Sequence, residues 1–138
     1  MIRVEKKNAR FSSEYCRERF GEELNTLRED IHAHPELGME EFRTTSLLKT
    51  FLQRSGILCL NLGLKTGVVG ILRGKHSGPT IALRADIDAL PIKEETGAPF
   101  ASQTLGVMHA CGHDIHACGL MGAAKLLAER LDALHGTV

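Results

Sequence analysis

The chain gathers its chemistry-bearing side chains into three short stretches. The densest is Met108-His109-Ala110-Cys111-Gly112-His113-Asp114-Ile115-His116. Three of the seven histidines fall in its last eight residues, where composition alone gives about 0.4. In an extended segment alternate side chains point the same way, so His109, Cys111 and His113 can converge. Thiolate with imidazole suits Zn²⁺ or a similar transition ion, and Gly112 lets the backbone turn between two such donors. The competing assignment makes Cys111 a buried apolar thiol and leaves the histidines to bond backbone groups at a helix start. Cys118, inside the helix that follows, reads as core.

The second stretch, Leu83-Arg84-Ala85-Asp86-Ile87-Asp88-Ala89-Leu90-Pro91, brings two carboxylates off the end of a strand into a loop. Ligand sites in α/β sheets gather at such ends, and a carboxylate there can orient a metal-bound imidazole. Asp86 is the candidate for that role; Asp88 either shares its side or merely caps the loop. Glu94-Glu95 reads as a solvated pair. In the third stretch, Ile31-His32-Ala33-His34-Pro35-Glu36-Leu37-Gly38, the His-x-His spacing resembles a metal pair. At a helix end, however, the same imidazoles satisfy terminal carbonyls, and that is the assignment adopted. No phosphate-binding loop and no Gly-x-Ser-x-Gly elbow occurs, so neither a nucleotide site nor a serine hydrolase of that type is indicated.

Elements must position these residues. Phe20, Leu24, Leu27 and Ile31 recur at helical spacing and predict a helix from about Glu14 to His34, stopped by Pro35. Leu47, Leu48, Phe51 and Leu52 predict a second, from about Glu40 to Ser55, with Gly56 at its C′ position. Short apolar runs at 57–62, 68–72 and 80–85 read as buried strands, and Gly74–Pro79 as a hairpin-length connection. Residues 86–109 read as a long functional loop. A third helix is expected from Asp114, as N-cap, through Leu134. Its Gly- and Ala-rich first half suits packing on a sheet. Gly136-Thr137-Val138 reads as a helix C-cap followed by a strand start, so the sequence is expected to stop inside a domain. The order of elements gives a mixed α/β fold, a sheet with flanking helices.

Composition excludes several classes. The 138 residues suffice for one domain or part of one. Seventeen basic and seventeen acidic side chains cancel, so no field exists to collect nucleic acid. Apolar runs are broken well short of the roughly 20 residues of a membrane span. The charged amino terminus carries no secretory signal, which points to the cytoplasm. Four cysteines without paired Cys-x-x-Cys spacing are expected to be reduced.

Taken together and in this order, the three stretches are similar to the amidohydrolase branch of the aminoacylase and carboxypeptidase metallohydrolases. That branch includes N-acyl-amino-acid hydrolases, hippurate hydrolases, acetyl-diaminopimelate deacetylases and plant auxin-conjugate hydrolases. The resemblance runs from about Leu24 to Val138. It implies a two-metal site in which Cys111 and His113 are ligands and Asp86 supports a metal-bound histidine. His109 and His116 share the motif without gaining ligand status from it. Where the broader clan has a metal-binding histidine two residues before the aspartate, this chain has Arg84.

The implied reaction is hydrolysis of a small N-acyl amino acid or peptide-like substrate by a metal-activated water. The ions would be Zn²⁺ or Mn²⁺, with Co²⁺ and Ni²⁺ as alternatives. The proton-moving glutamate, the remaining ligands and the lid and dimerisation domain would lie beyond Val138. Residues 1–138 are then the amino-terminal portion of the catalytic domain, inactive alone, of a parent expected to be a homo-oligomer. The alternative is a truncated non-catalytic relic, or a metal-binding module acting through a complementary chain.

Overall fold

The computed structural model describes residues 12–138. The first helix, α1 (Ser13–Ala33), starts where the Ser12 hydroxyl accepts the Tyr15 amide at 3.1 Å and stops ahead of Pro35. The second, α2 (Phe42–Arg54), is capped from a distance, its first turn being anchored by Glu36. The two Glu36 carboxylate oxygens accept the amides of Arg43 (2.9 Å) and Thr44 (2.7 Å), a negative charge at the positive end of the helix. Its other end closes with Gly56 at φ +75°, the Gly56 and Ile57 amides donating to Gln53 and Leu52. Both helices agree with the apolar periodicity of the sequence.

The strands differ more from expectation. β1 (Leu58–Leu60) and β2 (Val69–Ile71) form one antiparallel pair; β3 (His76–Thr80) and β4 (His135–Thr137) form a second, parallel pair. The third strand was expected at 80–85, with Gly74–Pro79 as its connection, but the glycine-rich connection is itself the strand. Gly74, Gly78 and Gly136 carry no side chains, so the backbones of the two segments approach closely. Gly136, expected to cap a helix, lies inside β4 at φ +88°. Burial of the strands is also less than expected. Ile57 and Leu72 are buried, whereas Leu58, Ile81 and Leu83 are exposed. Ile81 and Leu83 border an open apolar groove with Val69, Leu120, Leu127 and Val138.

The third helix, α3 (His113–Ala128), begins one residue before Asp114 and ends before Leu131 and Leu134, which still pack on the core. Its small residues serve helix packing: a β-carbon on Gly122 would stand 2.9 Å from Leu24 Cδ1 of α1. Leu27 and Ile31 of α1, Leu48, Phe51 and Leu52 of α2, and Ala117, Cys118 and Met121 of α3 meet Ile57 and Leu72 in one apolar cluster. Between β3 and α3 the chain has no helix or strand of its own, as expected for 86–109, but it is pinned. Ala89 donates to Glu36 O at 2.8 Å, and Leu90 and Met108 exchange both backbone bonds at 3.0 Å. No described helix is long and apolar enough to cross a membrane.

Candidate metal centre

These pins decide which carboxylate reaches α3. Gly112 takes φ +75°, which turns the chain between Cys111 and the first helical residue, His113. The His113 Nδ1 lies 2.9 Å from the Asp88 carbonyl oxygen and 3.0 Å from Asp88 Oδ1. A ring nitrogen facing two oxygens carries the proton, so Nε2 keeps its lone pair for an electrophile. Asp86, expected to support the histidine, instead ion-pairs with Arg84 at the surface. It borders an open groove with His116 and Leu120. The physical reason is the anchoring of Ala89 and Leu90, which fixes residue 88 beside the start of α3; Asp86 precedes the pinned stretch.

Cys111 is exposed, and His116 is exposed with its ring centroid 5.9 Å from that of His113. His109 is buried and neither of its ring nitrogens has a hydrogen-bond partner; burial holds its imidazole below the ordinary range. Asp114, expected as an N-cap, sits inside the first helical turn at 1% exposure. Its Oδ2 accepts from Arg28 Nε at 2.8 Å and lies 2.8 Å from His32 Nδ1. His34 does satisfy a helix-end carbonyl, that of Asp30 at 2.8 Å, whereas His32 does not; its Nε2 meets Glu94 Oε1 at 3.2 Å. Glu94, expected to be solvated, has a side chain only 4% exposed. The Thr96 hydroxyl, the Ser102 amide and His32 hold its carboxyl below the usual range. The sequence does not reveal this group because Glu94 and Asp114 stand 62 and 82 residues from His32.

The donor chemistry fits a divalent transition ion in part. His113 offers a held ring with a free Nε2, and Cys111 an accessible thiol. Among the described residues no three His, Cys, Asp or Glu side chains stand together as a closed metal site.

Residues 82–138, which contain this turn and the Asp86–Pro91 segment, match peptidase family M20/M25/M40. Over that segment the chain is similar to that family. It is 52% identical over 116 residues to the N-acetyl-L-cysteine deacetylase of Bacillus subtilis, covering 84% of this chain and 28% of the relative. It is 45% identical over 111 residues to the N-acyl-L-amino acid amidohydrolase of Geobacillus stearothermophilus, covering 80% and 30%. The crystal structure of the Bacillus subtilis YXEP protein, described as a dinuclear metal binding peptidase of the M20 family, superposes with a TM-score of 0.85. That match is 48% identical and covers 88% of this chain and 34% of the other. The chain thus spans about 30% of the length of the curated M20 relatives it matches. Those relatives are hydrolases, and the mixed α/β fold is shared with the M20 structures.

The four thiols of the M20 segment and its flanks differ sharply in environment. Burial pushes the Cys118 thiol up to about 12 from an ordinary 9.0. At pH 8 its thiolate fraction is therefore on the order of a thousandfold below that of a free thiol, and alkylation of Cys118 should lag that of a free cysteine correspondingly. The folded value exceeds the unfolded one, so the contribution of Cys118 to stability is complete below pH 9 and falls as the pH rises from 9 towards 12. The difference in urea midpoint between wild type and Cys118→Ala should accordingly shrink between pH 8 and pH 10.

Proposed function

We propose that this chain is the amino-terminal portion of the catalytic domain of a dinuclear-metal amidohydrolase that hydrolyses N-acyl amino acids. One observation carries the assignment of the site: Cys111 and His113 flank a left-handed Gly112 with the His113 Nδ1 held by Asp88. In this reading Cys111 and His113 hold metal, and Asp88 takes the supporting role expected of Asp86. The position two residues before the supporting aspartate is then Asp86, and Arg84 leaves the motif. Bound ions of this class polarise a scissile carbonyl and acidify water.

The chain's own residues contribute placement. Asp88 keeps the proton on Nδ1 of His113 and so presents Nε2 in one orientation. Gly112 turns the backbone between Cys111 and His113. The Arg84–Asp86 pair and His116 border the open side of this end of α3, where a small substrate has room to approach. The names of the relatives support an N-acyl amino acid as substrate, and a homo-oligomeric parent remains part of the reading. Ligation by Cys111 requires a reduced thiol, which fits the cytoplasm. Among the described residues two donors stand without a third, so the 138-residue chain alone is expected not to hydrolyse such amides.

A chimaera tests the proposal. The matching 116-residue segment of the Bacillus subtilis N-acetyl-L-cysteine deacetylase is replaced by that of this chain, and release of acetate from N-acetyl amino acids is measured. The chimaera should be active. Cys111→Ala or His113→Ala within it should lose activity at least a thousandfold, and Asp88→Asn about 10- to 100-fold. A folded but inactive chimaera, or one indifferent to Cys111→Ala, would sink the assignment.

A further inference from the structure

The buried polar group around His32 is used by none of the steps above, yet it joins two segments that frame the candidate site. His32, in the last turn of α1, is 6% exposed and has a carboxylate oxygen at each ring nitrogen. Asp114 Oδ2 lies 2.8 Å from Nδ1 and Glu94 Oε1 lies 3.2 Å from Nε2. Asp114 belongs to the first turn of α3 and directly follows His113; Glu94 belongs to the connection that precedes it. Arg28, one turn earlier on α1, shares Asp114 Oδ2 and covers the Phe100 ring at 4.4 Å, while that ring meets His32 edge-on at 5.4 Å.

The connection is closed on itself at the same place. Glu94 accepts the Ser102 amide at 2.6 Å and the Thr96 hydroxyl, so residues 94–103 form a loop tied at its base. Gln103 donates to the carbonyl of Ala33, the neighbour of His32, at 2.8 Å. A buried carboxylate that loses its partner is strongly disfavoured, and here two carboxylates share one ring. Releasing Glu94 would leave Nε2 of His32 facing an unpaired buried space, and the ring that braces Asp114 would lose its fixed orientation.

From this arrangement we propose that His32 is a positioning residue that couples the 94–103 loop to the first turn of α3, so that closure of the loop sets the placement of Cys111 and His113. The proposal goes beyond the assignment of function and rests on it only for what is placed. Its test contains no metal, so the two can fail separately.

The experiment compares the 138-residue chain with its Glu94→Gln variant by amide hydrogen exchange and by the ring ¹⁵N resonances of His113. Loop amides at Ser102 and Gln103 and helix-start amides at Ile115 and His116 should all exchange about tenfold faster, while Leu48–Leu52 in α2 stay unchanged. The His113 ring should shift from a single Nδ1-protonated tautomer towards an average, a change that general loss of stability would not single out. Faster exchange confined to the loop, or spread evenly over α2 as well, overturns the proposal. If Glu94→Gln does not fold, Asp114→Asn reports the coupling in reverse. Exchange at Ser102 and Gln103 must then rise about tenfold, and no rise overturns it.

Discussion

Truncating Asp114 to alanine should destabilise the chain by about 3 kcal/mol, the usual size when one member of a buried ion pair is removed. The carboxylate is 1% exposed, so little of its interaction is screened by water. Its loss strands the Arg28 guanidinium and leaves one nitrogen of His32 without an acceptor, both beside the Phe100 ring. The penalty is therefore set by what remains unpaired rather than by the strength of the pair itself. A fall in melting temperature of roughly 10 °C should accompany it. The exposed Arg19–Glu129 pair is the comparison: Glu129→Ala removes a 2.6 Å contact that water screens at the surface, and its effect on stability should be far smaller than that of Asp114→Ala. Urea denaturation of the two variants in parallel measures the contrast. Equal losses would mean that the buried cluster contributes no more than a surface pair.

The second large effect belongs to Gly136. Its φ of +88° is costly for any L side chain, and an added β-carbon would fall onto the Pro79 carbonyl oxygen and 2.8 Å from the Gly78 carbonyl carbon. These are backbone atoms of the paired segment, so no side-chain rotation relieves the overlap. Gly136→Ala should cost about 4 kcal/mol, at the upper end of single substitutions, by separating β4 from β3. The loss should be visible as rapid exchange of the Ile81 and Val138 amides, which donate to Thr137 O and Leu72 O at 2.9 Å. Gly63→Ala isolates the backbone term, since φ is +69° there with nothing within 4 Å of the added carbon; its cost should stay near 1 kcal/mol. Near-equal costs would show that the close approach of β3 and β4 is not required.

The sequence made the helices legible because long amphipathic periods, a proline stop and a C′ glycine each constrain the chain locally. Strand positions were less so. The apolar run at 80–85 carries the stronger strand pattern, yet Gly74–Pro79 holds the ladder, because pairing with β4 depends on the absence of side chains rather than on their hydrophobicity. The same division runs through the site. The cluster from His109 to His116 shows itself by composition alone, and Gly112 by its type. Asp86 was the choice from the sequence, where it and Asp88 share one face of an extended segment; it is Asp88 that lies beside His113, next to the anchoring of Ala89 on Glu36. His32, Glu94 and Asp114 are ordinary residues in their local contexts. What joins them is the packing of α1 against α3, which brings positions 82 residues apart to 2.8 Å.

Binding of Co²⁺ by the 138-residue chain tests most directly whether Cys111 and His113 are metal donors. Titration of the reduced chain should produce a thiolate-to-cobalt absorption band, abolished in Cys111→Ser, weakened in His113→Ala, and intact in Cys118→Ser, whose thiol is buried in the core. A band that survives Cys111→Ser, or no band in the unaltered chain, would contradict the assignment of the metal centre.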